Sequence, residues 1–190
     1  MLKTLYLHRN FTIAGVPVGA YRIVYAGEQA ELRAAVELRE YIEKTCAVSL
    51  CVYRDTDLPP AEHEILIGRT NREDGDGFSL DREGLGEEGF LIEERNGRLC
   101  ITGSGPRGTL YGVYEFLEKY VGWRFFTSDC EVMTAGDSIT VPAKLYDRQV
   151  PVLEYRQVHW IDYCKVPLRA KRKQNTAMRG ELSETYGGSI

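Results

Sequence analysis

A chain of 190 residues with 43% apolar and 27% charged side chains can fill one core, or one domain plus a fragment, with ordinary globular composition. Its formal net charge of −4 excludes a general attraction to nucleic acid or to anionic membranes, so neither is an expected partner. Five cysteines (Cys46, Cys51, Cys100, Cys130, Cys164) without C-x-x-C spacing and three scattered histidines (His8, His63, His159) spell no metal site; they favour buried free thiols in a reducing compartment.

The opening "MLKTLYLHRNFTIAG" lacks the apolar run of a signal peptide, and no window approaches a membrane span. A cytoplasmic location is the expectation, with a secreted one open if a signal peptide has been removed. "NFTIAG" and "AYRIVYAG", separated by Gly15, Pro17 and Gly19, read as an opening hairpin or strand pair. In "GEQAELRAAVELREYIEKTCA", Leu32, Ala35, Leu38, Ile42 and Thr45 recur at helical spacing and predict an amphipathic helix of about four turns. "LCVYRD" is the next strand. Then "EILIG", apolar at Ile65, Leu66 and Ile67 and stopped by glycine, predicts a strand covered on both faces and central in a sheet.

"RTNREDGDGFSLDREGLG" reads as a long surface loop. "EGFLIEERNGRLCITG" gives two strands joined by Asn96-Gly97, a pair suited to a type I′ hairpin turn. The following helix, Arg107 to Val121, places Leu110, Val113, Tyr114, Leu117 and Val121 on one stripe, with Gly122 at its end. "GWRFFTS" is extended, and "CEVMTAGDSITVPA" predicts a further hairpin around Ala135-Gly136-Asp137. Composition shifts near Tyr146. A linker leads to a strand over Leu153–His159, and "LRAKRKQN" (Leu168–Asn175) begins a helix with a solvated basic face.

Between strand and helix, "GSGPRG" fits G-x-G-x-x-G, and Asp129 stands about twenty residues on, where a ribose-binding acid is expected. Pro106, however, removes an N–H from the loop that would donate to phosphate. The preceding strand is also one arm of a hairpin, whereas the dinucleotide fold wants a parallel unit there. The structural account is simpler. Gly103 and Gly105 turn the chain, Pro106 presets the first helical turn, and Gly108 and Gly112 share a helix face that approaches the sheet closely. No cofactor is expected.

"RGTLYGVYEFLEKYVGWRFF" (Arg107–Phe126) resembles a segment, "R-G-x-x-Y-G-V-x-x-F-L-E" with a following "G-x-R", found in an accessory domain. That domain precedes the catalytic barrel of family 67 α-glucuronidases and, more loosely, of family 20 β-N-acetylhexosaminidases, and occurs in related uncharacterised bacterial proteins. The helix Ala35–Lys44, the strand Ile65–Gly68, "GFLI" (Gly89–Ile92) and "LCITG" follow the same order, so the resemblance covers about residues 10–160. It implies an α/β (α+β) fold: a mixed, mainly antiparallel sheet with two helices packed on one face. It also implies a domain over 1–148 that does no chemistry, followed at 149–190 by a linker and the first strand and helix of a (β/α)8 barrel. Such a barrel needs roughly 200 residues or more, so the resemblance implies a longer polypeptide.

If Leu153–His159 is a first barrel strand, its C-terminal end faces the active site. His159, Trp160 and Asp162 then stand at the mouth, with Arg156 deeper, as candidate sugar contacts. "DYCK" (Asp162–Lys165) replaces the "D-x-S-R" of hexosaminidases, which argues against their substrate specificity. Interface packing for Trp160, an ion pair for Arg156 and a capping role for Asp162 are the structural alternatives. Glu87-Glu88 and Glu93-Glu94 are neighbours that point to opposite faces of a strand, so neither doublet makes a glycosidase pair, and both read as solvated. The sequence therefore predicts a non-catalytic accessory domain of a carbohydrate-active protein, its partner a catalytic barrel of the same polypeptide and carbohydrate a possible ligand of the whole. The alternatives are a stand-alone carbohydrate-binding or interaction domain and a nucleotide-dependent enzyme using Gly103–Gly108.

Overall fold

The computed structural model describes residues 9–75, 78–176 and 183–188. β1 (Asn10–Ile13) turns through Ala14-Gly15, both at positive φ, into β2 (Val16–Pro17). Next come β3 (Arg22–Tyr25), α1 (Gln29–Cys46), β4 (Val52–Arg54), β5 (Glu64–Ile67) and the short α2 (Arg72–Gly75). β6 (Phe90–Arg95) and β7 (Arg98–Gly103) form the hairpin, with Asn96 and Gly97 at φ 56° and 80°. α3 (Pro106–Phe116) runs on through a wider π turn over Leu117–Val121, which Gly122 ends in the left-handed region. β8 (Trp123–Thr127), β9 (Cys130–Met133), β10 (Ser138–Val141), β11 (Tyr146–Gln149) and α4 (Val166–Lys171) complete the described strands and α-helices.

The main sheet has the order β11-β6-β7-β5-β3-β4. It is mixed, with α1 and α3 packed together on one face, as the sequence predicts. Among the described residues three of its five ladders are parallel. The reason is that α1 carries the chain from β3 to β4 as a crossover, and parallel neighbours need one. β5 lies inside the sheet and all four of its residues are buried, the pattern its unbroken apolar run foretold.

Two strand pairings differ from the sequence expectation. β3 leaves the opening hairpin for the main sheet, and β1 instead pairs in parallel with β10. β9 pairs with β8, not with β10. The turn at Ala14-Gly15 is real, but in both cases which strand fills the neighbouring ladder depends on the remote partner.

On the helical side, Leu38, Tyr41 and Ile42 of α1 and Leu110, Val113, Tyr114 and Leu117 of α3 are buried over Ile23, Ile65, Ile67, Ile92, Leu99 and Ile101. Leu32 departs from the predicted stripe and is 42% exposed. The other face buries Val24, Leu66, Leu91 and Cys100 under Leu80 and Phe78. The stretch read as a surface loop thus supplies the second cover of the sheet.

It also brings charge inside. Glu64, fully buried, takes Arg22 at 2.6 Å and Arg72 at 3.2 Å and lies 3.6 Å from Arg98. Arg72 goes on to donate to the carbonyls of Asp55 and Leu58 at 2.7 and 3.0 Å, so each buried charge is met. All five cysteines are free; Cys46 and Cys100 are buried, whereas Cys51, Cys130 and Cys164 are exposed. Among the described residues no helix is long and apolar enough to cross a membrane.

Candidate functional site

The glycine-rich turn sits where β7 enters α3. A Cβ on Gly108 would lie 2.4 Å from the Gly89 carbonyl oxygen, and one on Gly103 2.6 Å from the Thr109 nitrogen. On Gly112 it would meet Ile101 at 3.0 Å and Phe90 at 3.1 Å. Gly105 differs: it caps α3 from an extended backbone and a Cβ there meets only the Glu87 carbonyl, at 3.8 Å. The Gly103 N–H, which a phosphate would need, is held by the Thr109 hydroxyl at 2.9 Å. The strand after α3 leaves the main sheet to pair with β9, so no parallel strand–helix–strand unit is built around this turn. Asp129 accepts from the Thr127 hydroxyl on an exposed turn.

Arg156 forms an ion pair, the structural alternative weighed for it, in a cluster whose partners the sequence did not name. Its Nη2 donates to Glu88 Oε2 at 2.5 Å, its Nε to the Lys173 carbonyl at 2.8 Å and its Nη1 to the Leu153 carbonyl at 2.5 Å. Glu88 is buried and also accepts from Arg107 Nη1 at 2.9 Å and from Asn175 Nδ2 at 3.0 Å. Asn175, itself buried, accepts the Arg156 backbone N–H at 3.0 Å and donates to the Glu154 carbonyl at 2.5 Å. A cleft of about 260 Å³ opens beside the cluster, lined by Tyr111, Gln149, Pro151, Arg156, Arg172 and Lys173 among others. Lys173 is held there by Glu115 at 2.6 Å and Glu118 at 3.1 Å.

The other three candidates are not brought to this cleft. His159 and Trp160 are exposed, Trp160 at 56% with its ring 6.1 Å from that of Tyr163. Asp162 accepts from the Ser128 N–H at 2.8 Å and hydroxyl at 2.7 Å, with Lys165 at 2.9 Å. The Ser128 hydrogen bonds above all, and Lys165 beside them, hold its carboxyl down to about 2. Leu153–His159 form no strand: 150–160 carry no helix or strand, and Val152, Leu153, Tyr155, Val158 and Trp160 are exposed. A strand needs a neighbour for its ladder, and none lies alongside this stretch among the described residues.

Of the two carboxylate doublets, only Glu87 is solvated as expected. Glu88, Glu93 and Glu94 are buried, the last accepting from the Gly97 and Lys144 N–H groups at 2.8 and 2.6 Å. The basic stretch 168–175 is likewise not a solvated face. Leu168, Arg169, Ala170 and Lys171 are buried, and Lys171 reaches Glu131 at 2.6 Å and the Tyr41 hydroxyl at 2.7 Å. No local signal pairs these groups: Lys171 goes to Glu131, Arg172 and Lys173 go to Glu118 and Glu115, and Glu88 goes to Arg107 and Arg156, each remote along the chain. Burial foremost, with neighbouring acids, raises Glu31, but this carboxyl is spent at the start of α1, where it accepts the Glu28 N–H at 3.1 Å. Among the described residues no three of His, Cys, Asp and Glu converge as metal ligands.

Comparison with known proteins gives this arrangement its place. No curated protein sequence matches the chain. Among solved structures it resembles BtGH115A, a family GH115 4-O-methyl-α-glucuronidase with specificity for decorated arabinogalactans. There the TM-score is 0.52 and identity 16%, over 83% of this chain and 24% of that one. It resembles the GH20 β-N-acetylhexosaminidase of Streptomyces coelicolor A3(2) at TM-score 0.52 and 14% identity, over 84% of this chain and 30% of the enzyme. For CpGH84D the values are 0.52 and 12%, over 88% and 27%. These likenesses are of fold, and the chain spans under a third of each of those proteins. Its sequence matches the description "Glycosyl hydrolase family 67 N-terminus" over residues 19–116, just over half its length, and the chain belongs to that family of N-terminal domains.

Proposed function

We propose that this chain is the non-catalytic accessory domain of a glycoside hydrolase and packs against a catalytic barrel of the same polypeptide, in which sugar hydrolysis takes place. The observation that carries the reading is the segment after β11. It is tied down by polar groups, Arg156 on Glu88 and Asp162 on Ser128, while Val152, Leu153, Tyr155, Trp160 and Ile161 point outward. Apolar side chains set in a row on a polar-anchored strap make a surface for another body. In this reading Arg156 and Asp162 position the strap, and His159 and Trp160 belong to the seam with the barrel.

The state of the carboxylates supports the absence of chemistry. A glycosidase needs two carboxyl groups facing a substrate, one commonly kept protonated. Here Glu64, Glu73 and Glu94 are bound by arginine or backbone N–H groups, and Glu88, which lines the clefts beside Arg156, is spent on Arg107 and Arg156. Two measurements test the reading. Incubated with aryl α-glucuronides and aryl N-acetylglucosaminides, the 190-residue chain should release no product; turnover would overturn it. In calorimetry it should take up no uronic acid or chitooligosaccharide, and uptake lost in Trp160→Ala would favour the stand-alone carbohydrate-binding reading instead.

A further inference from the structure

Arg107 opens the most specific stretch of the sequence, yet the packing of its glycines does not account for it. Its side chain is 7% exposed and reaches in two directions. Nη1 donates to Glu88 Oε1 at 2.9 Å, and Nε donates to the Gly187 carbonyl at 3.1 Å. Its contact with Glu87, at 3.8 Å to a largely exposed carboxylate, adds little. The other Glu88 oxygen holds Arg156 and Asn175. One carboxylate–guanidinium pair therefore touches two separate passes of the chain, 153–175 and 183–188.

The second pass has its own fitted seat. Tyr186 lies over the Arg33 guanidinium, 5.2 Å from ring centroid to carbon. Gly187 sits at φ +83°, and a Cβ there would come within 2.7 Å of Arg107 Cα, so only glycine can occupy the place. The turn closes on itself through Gly187 N–H to Glu184 O at 2.9 Å and Gly188 N–H to Ser183 O at 3.0 Å.

We propose that Arg107 and Glu88 form a latch that holds both passes of the chain beyond β11 against the start of α3, one carboxylate securing both. The chemistry suits the task. Both groups are largely withdrawn from water, so their hydrogen bonds are charge-assisted in a medium that screens them weakly. The planar guanidinium offers donors at fixed angles to two acceptors at once, which a lysine ammonium on a flexible stem does not. The latch goes beyond the accessory-domain reading and stands whether or not a catalytic barrel follows.

Amide hydrogen exchange on the 190-residue chain tests it, read at Arg156 (bonded to Asn175), at Gly188 (bonded to Ser183) and across β5 as a control. Glu88→Gln keeps the shape and removes the charge. Exchange should quicken at both Arg156 and Gly188, by about tenfold or more given what a charge-assisted bond contributes, with β5 unchanged. Arg107→Lys keeps Glu88 paired but cannot also reach Gly187. It should quicken Gly188 by about tenfold and leave Arg156 within about twofold. If Glu88→Gln quickens Arg156 alone, the two passes are independent and the latch is overturned. Should that variant expose β5 as well, Arg107→Lys decides, and an unchanged Gly188 rate overturns the proposal.

Discussion

Between β3 and α3 a cluster of charged side chains is turned inward, Glu64 onto Arg22, Arg72 and Arg98; between Val150 and Ile161 apolar side chains are turned outward instead. In the first region Glu64 and Arg72 are withdrawn from the surface, as are Ile65, Ile67, Ile101 and Leu110. In the second, Arg156 and Asp162 face the domain and Val152, Leu153 and Ile161 face water. Apolar burial drives a body to fold by itself, whereas a segment attached through polar anchors with its apolar groups outside is held in place and left incomplete. The contrast separates the contacts that stabilise the domain from an apolar surface left open to water.

The largest test of that contrast is Glu64→Ala. It leaves Arg22, Arg72 and Arg98 facing an empty acceptor inside the body, and breaking a buried pair in this way costs about 3–5 kcal/mol. Urea denaturation would show it as a lowered midpoint, and a midpoint near wild type would mean the cluster is solvated. Gly108→Ala comes next: its Cβ must displace the Gly89 carbonyl oxygen from 2.4 Å, an overpacking worth about 1–3 kcal/mol by the same measurement. In the strap, Leu153→Ser and Ile161→Ser should change the midpoint by no more than about 0.5 kcal/mol, because neither side chain is buried here. A cost like that of Gly108→Ala would move the strap into the body.

The finest test is pH. Asp162 titrates at about 2, below the ordinary aspartate value of 3.8, because Ser128 and Lys165 hold it charged. Its contribution to holding the strap is therefore complete above the unfolded value and is lost as pH falls through about 2. The Ser128 amide resonance, followed on acidification, should shift with that midpoint, and Asp162→Asn should abolish the transition. A midpoint at the ordinary value would mean that Asp162 is free.

Much of the body was legible because its signals are local. Asn96-Gly97 names a hairpin through the two positive φ angles it tolerates, Gly122 ends α3 for the same reason, and three apolar residues in a row mark β5 as covered on both faces. The parallel union of β1 with β10 was not legible, since its two halves come from opposite ends of the domain and no turn joins them. Nor was the second cover of the sheet. Leu80 and Phe78 are too sparse in a polar stretch to announce a buried face.

At the candidate site the division is sharper. The resemblance carried by Arg107–Phe126 pointed to Arg156, but its partner Glu88 lay in a doublet expected to be solvated. Asp162 was expected near a sugar and is committed to Ser128.

By itself the sequence determined the class of fold, the two helices, the hairpin and the family, because periodicity, turn chemistry and a motif of contiguous residues are properties of neighbours along the chain. Only the tertiary structure decided which charges meet. Glu64 with Arg72, Glu88 with Arg107 and Arg156, and Asp162 with Ser128 are joined across loops of very different length. A carboxylate that is solvated in one fold is a buried hub in another, since the energy of a charge depends on the distance of its partner and on the water excluded around it.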